Sequence, residues 1–237
     1  MSLPRLDTRT ALFLDFDGTL APIQSDPDTV YLDDEGMGLL RAISRQLGGA
    51  LAIISGRDIR DLAARIPSDF WRAGGHGADI CAPETDPPHE LPGAPKALVA
   101  AAQALCQQFG GTRLEQKGPI LALHYRASPK VEESLKAAVS NLAVEAQGYE
   151  VQHGKMVLEI RPEGVHKGVA VRQLMTRVPF AGRTPVMVGD DTTDEDAMAV
   201  CLELGGSAVR VGSGVSLAPH RVDDTQAVWT WLKEELA

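Results

Sequence analysis

Short, evenly apolar runs alternate along this chain with longer stretches whose apolar residues recur every three or four positions. Residues 11–14, 50–54 and 185–188 have the length and evenness of strands buried on both faces, the pattern of a parallel sheet covered by helices. Between the first two runs, Met37, Leu40, Ile43 and Leu47 share one helical face. Asp33 or Asp34 is placed to cap that helix and Gly48-Gly49 to stop it. Asp58 opens a further helix, residues 166–176 and 225–232 read as two more, and residues 208–211 read as a short strand at the sheet's edge.

The middle of the chain has a different rhythm. Pro83, Pro87, Pro88, Pro92, Gly93 and Pro95 crowd one stretch, which reads as a linker, and residues 162–164 read as its return. Between them an amphipathic helix over 97–109 precedes strands at 112–115 and 120–125, joined around Lys117-Gly118-Pro119. A second helix over 129–146 precedes strands at 149–152 and 156–161, joined around His153-Gly154-Lys155. Both helices of such a unit lie on one face of a four-stranded sheet and leave the other face for a lid. The expected organisation is an α/β core with a parallel sheet over residues 1–94 and 163–237, and an inserted smaller α/β (αββαββ) cap over residues 95–162.

Composition excludes some classes. Hydrophobic residues make up 44 %, enough for a packed core, yet no run reaches the length that a bilayer span needs. Residues 1–5 hold no apolar stretch of a secretion signal, so a cytoplasmic protein is expected. A formal charge of -9 argues against a nucleic-acid partner, which requires a basic face. Cys81, Cys106 and Cys201 have no metal-type spacing and read as buried small hydrophobes. The oligomeric state is not legible.

The strand ends carry the chemistry. The first run ends in Asp15-Phe16-Asp17-Gly18-Thr19-Leu20, and residues i and i+2 of an extended segment face one way, so two carboxylates share a pocket. Their repulsion is relieved by a dication, and hard oxygen ligands suit magnesium. A carboxylate can also serve as nucleophile while its neighbour supplies and removes a proton, although an Asx-turn is the plainer reading of the same residues. The second run ends in Ser55-Gly56-Arg57, either a simple β-to-α turn or a hydroxyl and backbone N–H groups turned to an anion. Lys167 stands at a helix start, where the macrodipole disfavours a cation; it makes sense opposite an anion and a carboxylate, and is otherwise a surface lysine. The third run ends in Gly189-Asp190-Asp191-Thr192-Thr193-Asp194-Glu195-Asp196, whose acids either cap a helix or hold a cation. His76, in Gly74-Gly75-His76-Gly77, reads as structural because no second histidine stands at ligand spacing. In an open parallel sheet the carboxyl ends of the strands form the ligand crevice, so these groups converge.

Asp15-Phe16-Asp17-Gly18-Thr19-Leu20 resembles the first motif of the haloacid dehalogenase superfamily of phosphatases. Ser55 is similar to its second, Lys167 to its third, and Gly189-Asp190 with Asp194 to its fourth. Leu114-Glu115-Gln116-Lys117-Gly118, His124-Tyr125-Arg126, Gly154-Lys155-Met156-Val157-Leu158-Glu159-Ile160 and Gly164-Val165-His166-Lys167-Gly168 extend the likeness over nearly the whole chain, to the trehalose-6-phosphate phosphatase family. His166 departs from it, standing where many relatives carry asparagine.

The resemblance implies a Rossmann-like core with an inserted cap, and hydrolysis of trehalose 6-phosphate to trehalose and phosphate. In that scheme Asp15 attacks phosphorus, and Asp17 protonates the leaving oxygen and then activates water. Ser55 and Lys167 stabilise the phosphoryl oxygens, Gly56 and Arg57 bind substrate beside Ser55, and Glu115, Lys117 and Glu159 hold sugar hydroxyls. Magnesium is held by Asp15, Asp17 (through its carbonyl) and Asp190, with Asp194 on a metal-bound water. Metal and Lys167 would also explain how so acidic a chain handles a phosphate ester. The rival readings are a phosphatase for sucrose or mannosylglycerate phosphates, which needs other cap residues, and a non-catalytic sugar-phosphate sensor, which is expected to have lost Asp15 or Asp17.

Overall fold

A computed structural model describes residues 3–154 and 156–236 of the chain. Met1, Ser2 and Ala237 lie outside the described residues, as does Lys155 of the second cap turn and of the family-like segment around it. The chain divides into two compact units, Met1–Pro87 with His166–Ala237, and Pro88–Val165. In chain order the first unit begins with β1 (Thr10–Leu14), α1 (Asp34–Gln46), β2 (Leu51–Ile54), α2 (Ile59–Arg65), β3 (Trp71–Gly74) and β4 (Asp79–Cys81). The second unit follows, with α3 (Lys96–Gln108), β5 (Arg113–Lys117), β6 (Ile120–His124), α4 (Glu132–Glu145), β7 (Tyr149–Gly154) and β8 (Val157–Pro162). The chain then returns to the first unit through α5 (Lys167–Met175), β9 (Thr184–Gly189), α6 (Thr192–Glu203), β10 (Ser207–Val211), β11 (His220–Val222) and α7 (Thr225–Glu234).

The sheet of the first unit runs β11-β10-β9-β1-β2-β3-β4, parallel except for the β3–β4 pair. β1 is central and buried along its whole length, and this is why its sequence is apolar throughout and does not alternate. Leu14, its last residue, pairs with Ile53 on one side and Val188 on the other, so the ends of the three apolar runs stand abreast. The chain works outward from β1 through β2 and β3, then begins again on the opposite side at β9. The β1–β9 boundary is therefore the switch point, where the connections leave in opposite directions and open a crevice. Helix α1 buries Leu40 and Ile43, Leu47 is buried at its C-cap, and Asp33 is its N-cap, its carboxylate accepting from the Gly36 N–H at 2.7 Å. Strands β4 and β11 were not legible in the sequence; each has three residues, too few for a periodic signal.

The second unit is a four-stranded antiparallel sheet in the order β5-β6-β8-β7. Leu121, Leu123, Leu158 and Ile160 pack with Leu98, Ala102, Leu135 and Val139 of α3 and α4, so both helices cover one face, as the αββαββ pattern predicts. Successive strand residues point to opposite faces, which sends Glu115, Lys117, His124 and Glu159 to the face opposite the helices. Among the described residues no helix is long and apolar enough to cross a membrane.

Candidate active site

Asp15 is the first residue beyond β1, held in line by its N–H donating to the Val188 carbonyl at 3.0 Å. Its carboxylate is buried and receives a hydrogen bond from Lys167 Nζ at 2.6 Å. The same ammonium donates to Asp194 Oδ1, also at 2.6 Å. All three side chains are 5 % exposed or less, so this is one buried cation shared by two buried anions. That explains a lysine at the first residue of α5, where the helix dipole opposes it: the two carboxylates outweigh the dipole. Burial alone would lower the Lys167 pKa, yet the charges of Asp15 and Asp194 reverse the sign and hold it above the ordinary lysine value.

The acids of the Gly189–Asp196 segment divide their work. Asp191 caps α6, and Asp194 closes the capping box with Oδ2 accepting from the Asp190 and Asp191 N–H groups, both at 3.0 Å. With Oδ1 on Lys167, both oxygens of Asp194 are engaged. Asp190 differs, because its Oδ1 is buried and has no hydrogen-bond partner among the described residues. Oxygens of Asp15, Asp190 and Asp194 lie within 4.8 Å of one another, a donor set of hard oxygens with one left over. Burial first, and then the charges of Asp194 and Asp191, push Asp190 up to about 6. Asp15 is raised as well, by burial and then by Asp194, against the pull of Lys167. Such a cluster is short of positive charge, and a small dication fits it. Gly18 makes room, for a Cβ there would fall 2.3 Å from Asp190 Oδ2, and its φ of +89° is one that few other residues adopt.

Ser55 follows β2 and is buried, with its Oγ accepting from the Arg57 N–H at 3.1 Å. Arg57, expected among the substrate-binding residues, is held here by two carboxylates. Its guanidinium donates through Nε and Nη2 to the two oxygens of Asp17, both at 2.7 Å, and through Nη1 to Asp61 Oδ2 at 2.7 Å. It also donates to the Pro27 carbonyl and lies 5.6 Å from the centre of the Phe16 ring. The Asp17 carboxylate is thus drawn to Arg57 and does not belong to the cluster of Asp15, Asp190 and Asp194.

In the second unit Glu115 and Lys117 of β5 and Glu159 of β8 share one face, since Ala122 of β6 pairs with both Glu115 and Glu159. Lys117 Nζ reaches Glu159 Oε1 at 3.1 Å. Glu115 Oε2 is 2.7 Å from His124 Nε2, and this contact holds the Glu115 carboxyl below its ordinary value against the effect of burial.

A model of the family described as trehalose-phosphatase matches residues 13–227 of the chain. The trehalose-6-phosphate phosphatase of Escherichia coli (strain K12) is 38% identical over 234 residues, which cover 97% of this chain and 88% of that protein. The chain belongs to the trehalose-phosphatase family. The C-terminal domain of the C. albicans trehalose-6-phosphate phosphatase superposes with a TM-score of 0.83 over 97% of this chain and 92% of that one; at 22% identity this is a likeness of fold. The Aspergillus fumigatus trehalose-6-phosphate phosphatase superposes with a TM-score of 0.67 at 25% identity, over 99% of each chain. In this trehalose-phosphatase chain Asp15, Ser55 and Asp190 stand just beyond the carboxyl ends of the neighbouring strands β1, β2 and β9, Asp194 lies in the first turn of α6, and Lys167 enters from the start of α5, the first helix after the chain returns from the second unit. Sequence reasoning missed the Arg57–Asp17 pair. It bridges 40 residues, and nothing in Ser55-Gly56-Arg57 distinguishes an arginine that binds phosphate from one that holds the acid.

Proposed function

We propose that this protein hydrolyses trehalose 6-phosphate to trehalose and phosphate through an aspartyl phosphate on Asp15. The observation that carries the reading is the buried Asp15–Lys167–Asp194 arrangement beside the spare oxygen of Asp190, in a chain of this family. An Asp15 carboxylate oxygen forms a bond to phosphorus as the bond from phosphorus to the sugar's 6-oxygen breaks, and Asp17 gives its proton to that departing oxygen. Asp17 then takes a proton from water, whose oxygen attacks phosphorus and releases Asp15 and phosphate. To donate, Asp17 must free an oxygen now held by Arg57, so the acid step includes loosening that pair. Lys167 and the Ser55 hydroxyl stabilise the phosphoryl oxygens, and Asp194 keeps Lys167 charged. Asp15 and Asp190, with Asp194 behind them and the Asp17 carbonyl as a further ligand, would hold magnesium. When bound, it supplies positive charge that offsets the phosphoryl group's negative charge and favours the ionised form of Asp15. Glu115, Lys117 and Glu159 are the residues proposed to hydrogen-bond the sugar. A phosphate-release assay over a panel of sugar phosphates tests the reading. Trehalose 6-phosphate should give the highest kcat/KM, and a higher value for sucrose or mannosylglycerate phosphates would refute it.

A further inference from the structure

The turn Gly75–Gly77 after β3 takes no part in the chemistry described so far, yet it is built tightly against the residues that do. His76 is buried in the left-handed conformation, with φ of 55° and ψ of 26°, a backbone that non-glycine residues seldom adopt. Its N–H donates to the Ser55 carbonyl at 3.0 Å, and the neighbouring Gly75 N–H donates to the Arg57 carbonyl at 2.6 Å. Between these two bonds lies Gly56, and the imidazole fills the place of its missing side chain. A Cβ on Gly56 would fall 2.6 Å from His76 Cε1 and 2.7 Å from Nε2. On the other flank Gly77 abuts α5, the helix that carries Lys167, so closely that a Cβ would come 2.7 Å from Ala170 Cβ. Gly74 meets the backbone of Ile59 at the start of α2 in the same way.

We propose that His76 is a positioning residue, whose ring packs on Gly56 and fixes the Ser55–Gly56–Arg57 loop in the geometry that phosphoryl transfer needs. It acts through two neighbours: the Ser55 hydroxyl, and Arg57, which holds Asp17. Packed interiors pass on displacement because they lack slack, and misplacement of a reacting group by about 1 Å can cost on the order of 100-fold in rate. The strained backbone is kept because the histidine ring must enter at this angle. The inference rests on the phosphatase reading but not on trehalose as the sugar.

Three variants test it: His76→Gly, which keeps the left-handed backbone and removes the ring; Gly56→Ala, which drives a methyl group into the ring; and the double variant. Each is assayed with 4-nitrophenyl phosphate as substrate and orthovanadate as inhibitor, at a temperature where melting curves show it folded. Amide hydrogen exchange of residues 55–58 is followed in parallel. Each single variant should lower kcat about 10-fold or more, raise the vanadate inhibition constant and speed exchange in the loop. The double variant should recover at least threefold in kcat over Gly56→Ala, because the methyl group then occupies the vacated space. A His76→Gly protein with wild-type kcat, vanadate affinity and exchange would overturn the proposal, and so would a double variant no better than Gly56→Ala. A purely structural histidine would lower the melting temperature and leave vanadate affinity unchanged. Absence of activity on trehalose 6-phosphate in the wild type would count against the proposed substrate alone, since these readouts need no sugar, and loop exchange needs no turnover.

Discussion

Replacing Lys167 with Met removes a charge and little volume, so the outcome isolates the electrostatics of the site. In the wild type one ammonium lies 2.6 Å from Asp15 Oδ1 and 2.6 Å from Asp194 Oδ1, with Lys167 only 3 % exposed. Removing one partner of a buried ion pair costs about 3–5 kcal/mol, because the remaining charge has neither water nor a counter-ion. Two carboxylates are stranded here, which argues for the upper part of that range. A domain of this size loses about 2–4 °C of melting temperature per kcal/mol, so a loss of about 4–5 kcal/mol should lower the melting temperature by roughly 8–20 °C in buffer with chelator. The assay is a pair of calorimetric or denaturant melts, extended to a cycle with Asp194→Asn. Asparagine keeps a carbonyl oxygen for the Asp190 and Asp191 N–H groups while it removes one stranded anion. The double variant should therefore lose less than the two single losses together, by about 0.5–3 kcal/mol. Strict additivity, or a Lys167→Met protein within about 1 kcal/mol of wild type, would refute the shared-cation account.

Further outcomes follow from the same geometry. Magnesium should raise the melting temperature of wild type and not of Asp190→Ala, and chelation should abolish turnover; full activity in excess chelator would remove the metal assignment. Asp15→Asn should form no phosphoenzyme by mass spectrometry, whereas Asp17→Asn should mainly slow proton transfer, by about 10²- to 10⁴-fold. Glu115 is an acid with its folded pKa depressed, so its stabilising contribution is present above the ordinary glutamate value of 4.5 and is lost as pH falls through the lower folded value. The stability gap between wild type and Glu115→Gln should hold at pH 5–7 and close below it, and a gap that widens with acid would contradict the His124 contact. Glu115→Ala and Glu159→Ala should lower kcat/KM for trehalose 6-phosphate far more than for a small aryl phosphate; equal losses on both would point to a damaged fold, and no loss on either would remove the sugar-binding assignment.

The fold was legible where burial is uniform or periodic. Residues 11–14, 50–54 and 185–188 read as strands because each is covered on both faces, and the αββαββ unit was legible because β5, β7 and β8 largely alternate between residues facing the helices and polar ones, while β6 reads as a short, mostly apolar run beside a turn. Strands β4 and β11 were silent, since a three-residue strand at a sheet edge is defined by its partner's backbone and leaves no side-chain pattern.

The site was legible to the extent that chemistry contradicts local expectation. Asp15, Asp190 and Asp194 follow apolar strands with no basic residue near them in sequence, and Lys167 opposes its own helix dipole; each anomaly asks for a partner, and the structure supplies them to one another. Arg57 posed no such question. An arginine two residues after a strand is satisfied equally by phosphate, solvent or a carboxylate, so its grip on Asp17 could only be seen once the chain was folded. The consequence reaches into mechanism. In the proposed mechanism Asp17 must release one of the two oxygens that Arg57 holds before it can donate, so the acid step would depend on how readily Arg57 yields. Asp61, which pairs with Arg57 at 2.7 Å, and Arg65, which pairs with Asp61 at 2.7 Å, would on the same proposal set how firmly Arg57 holds Asp17.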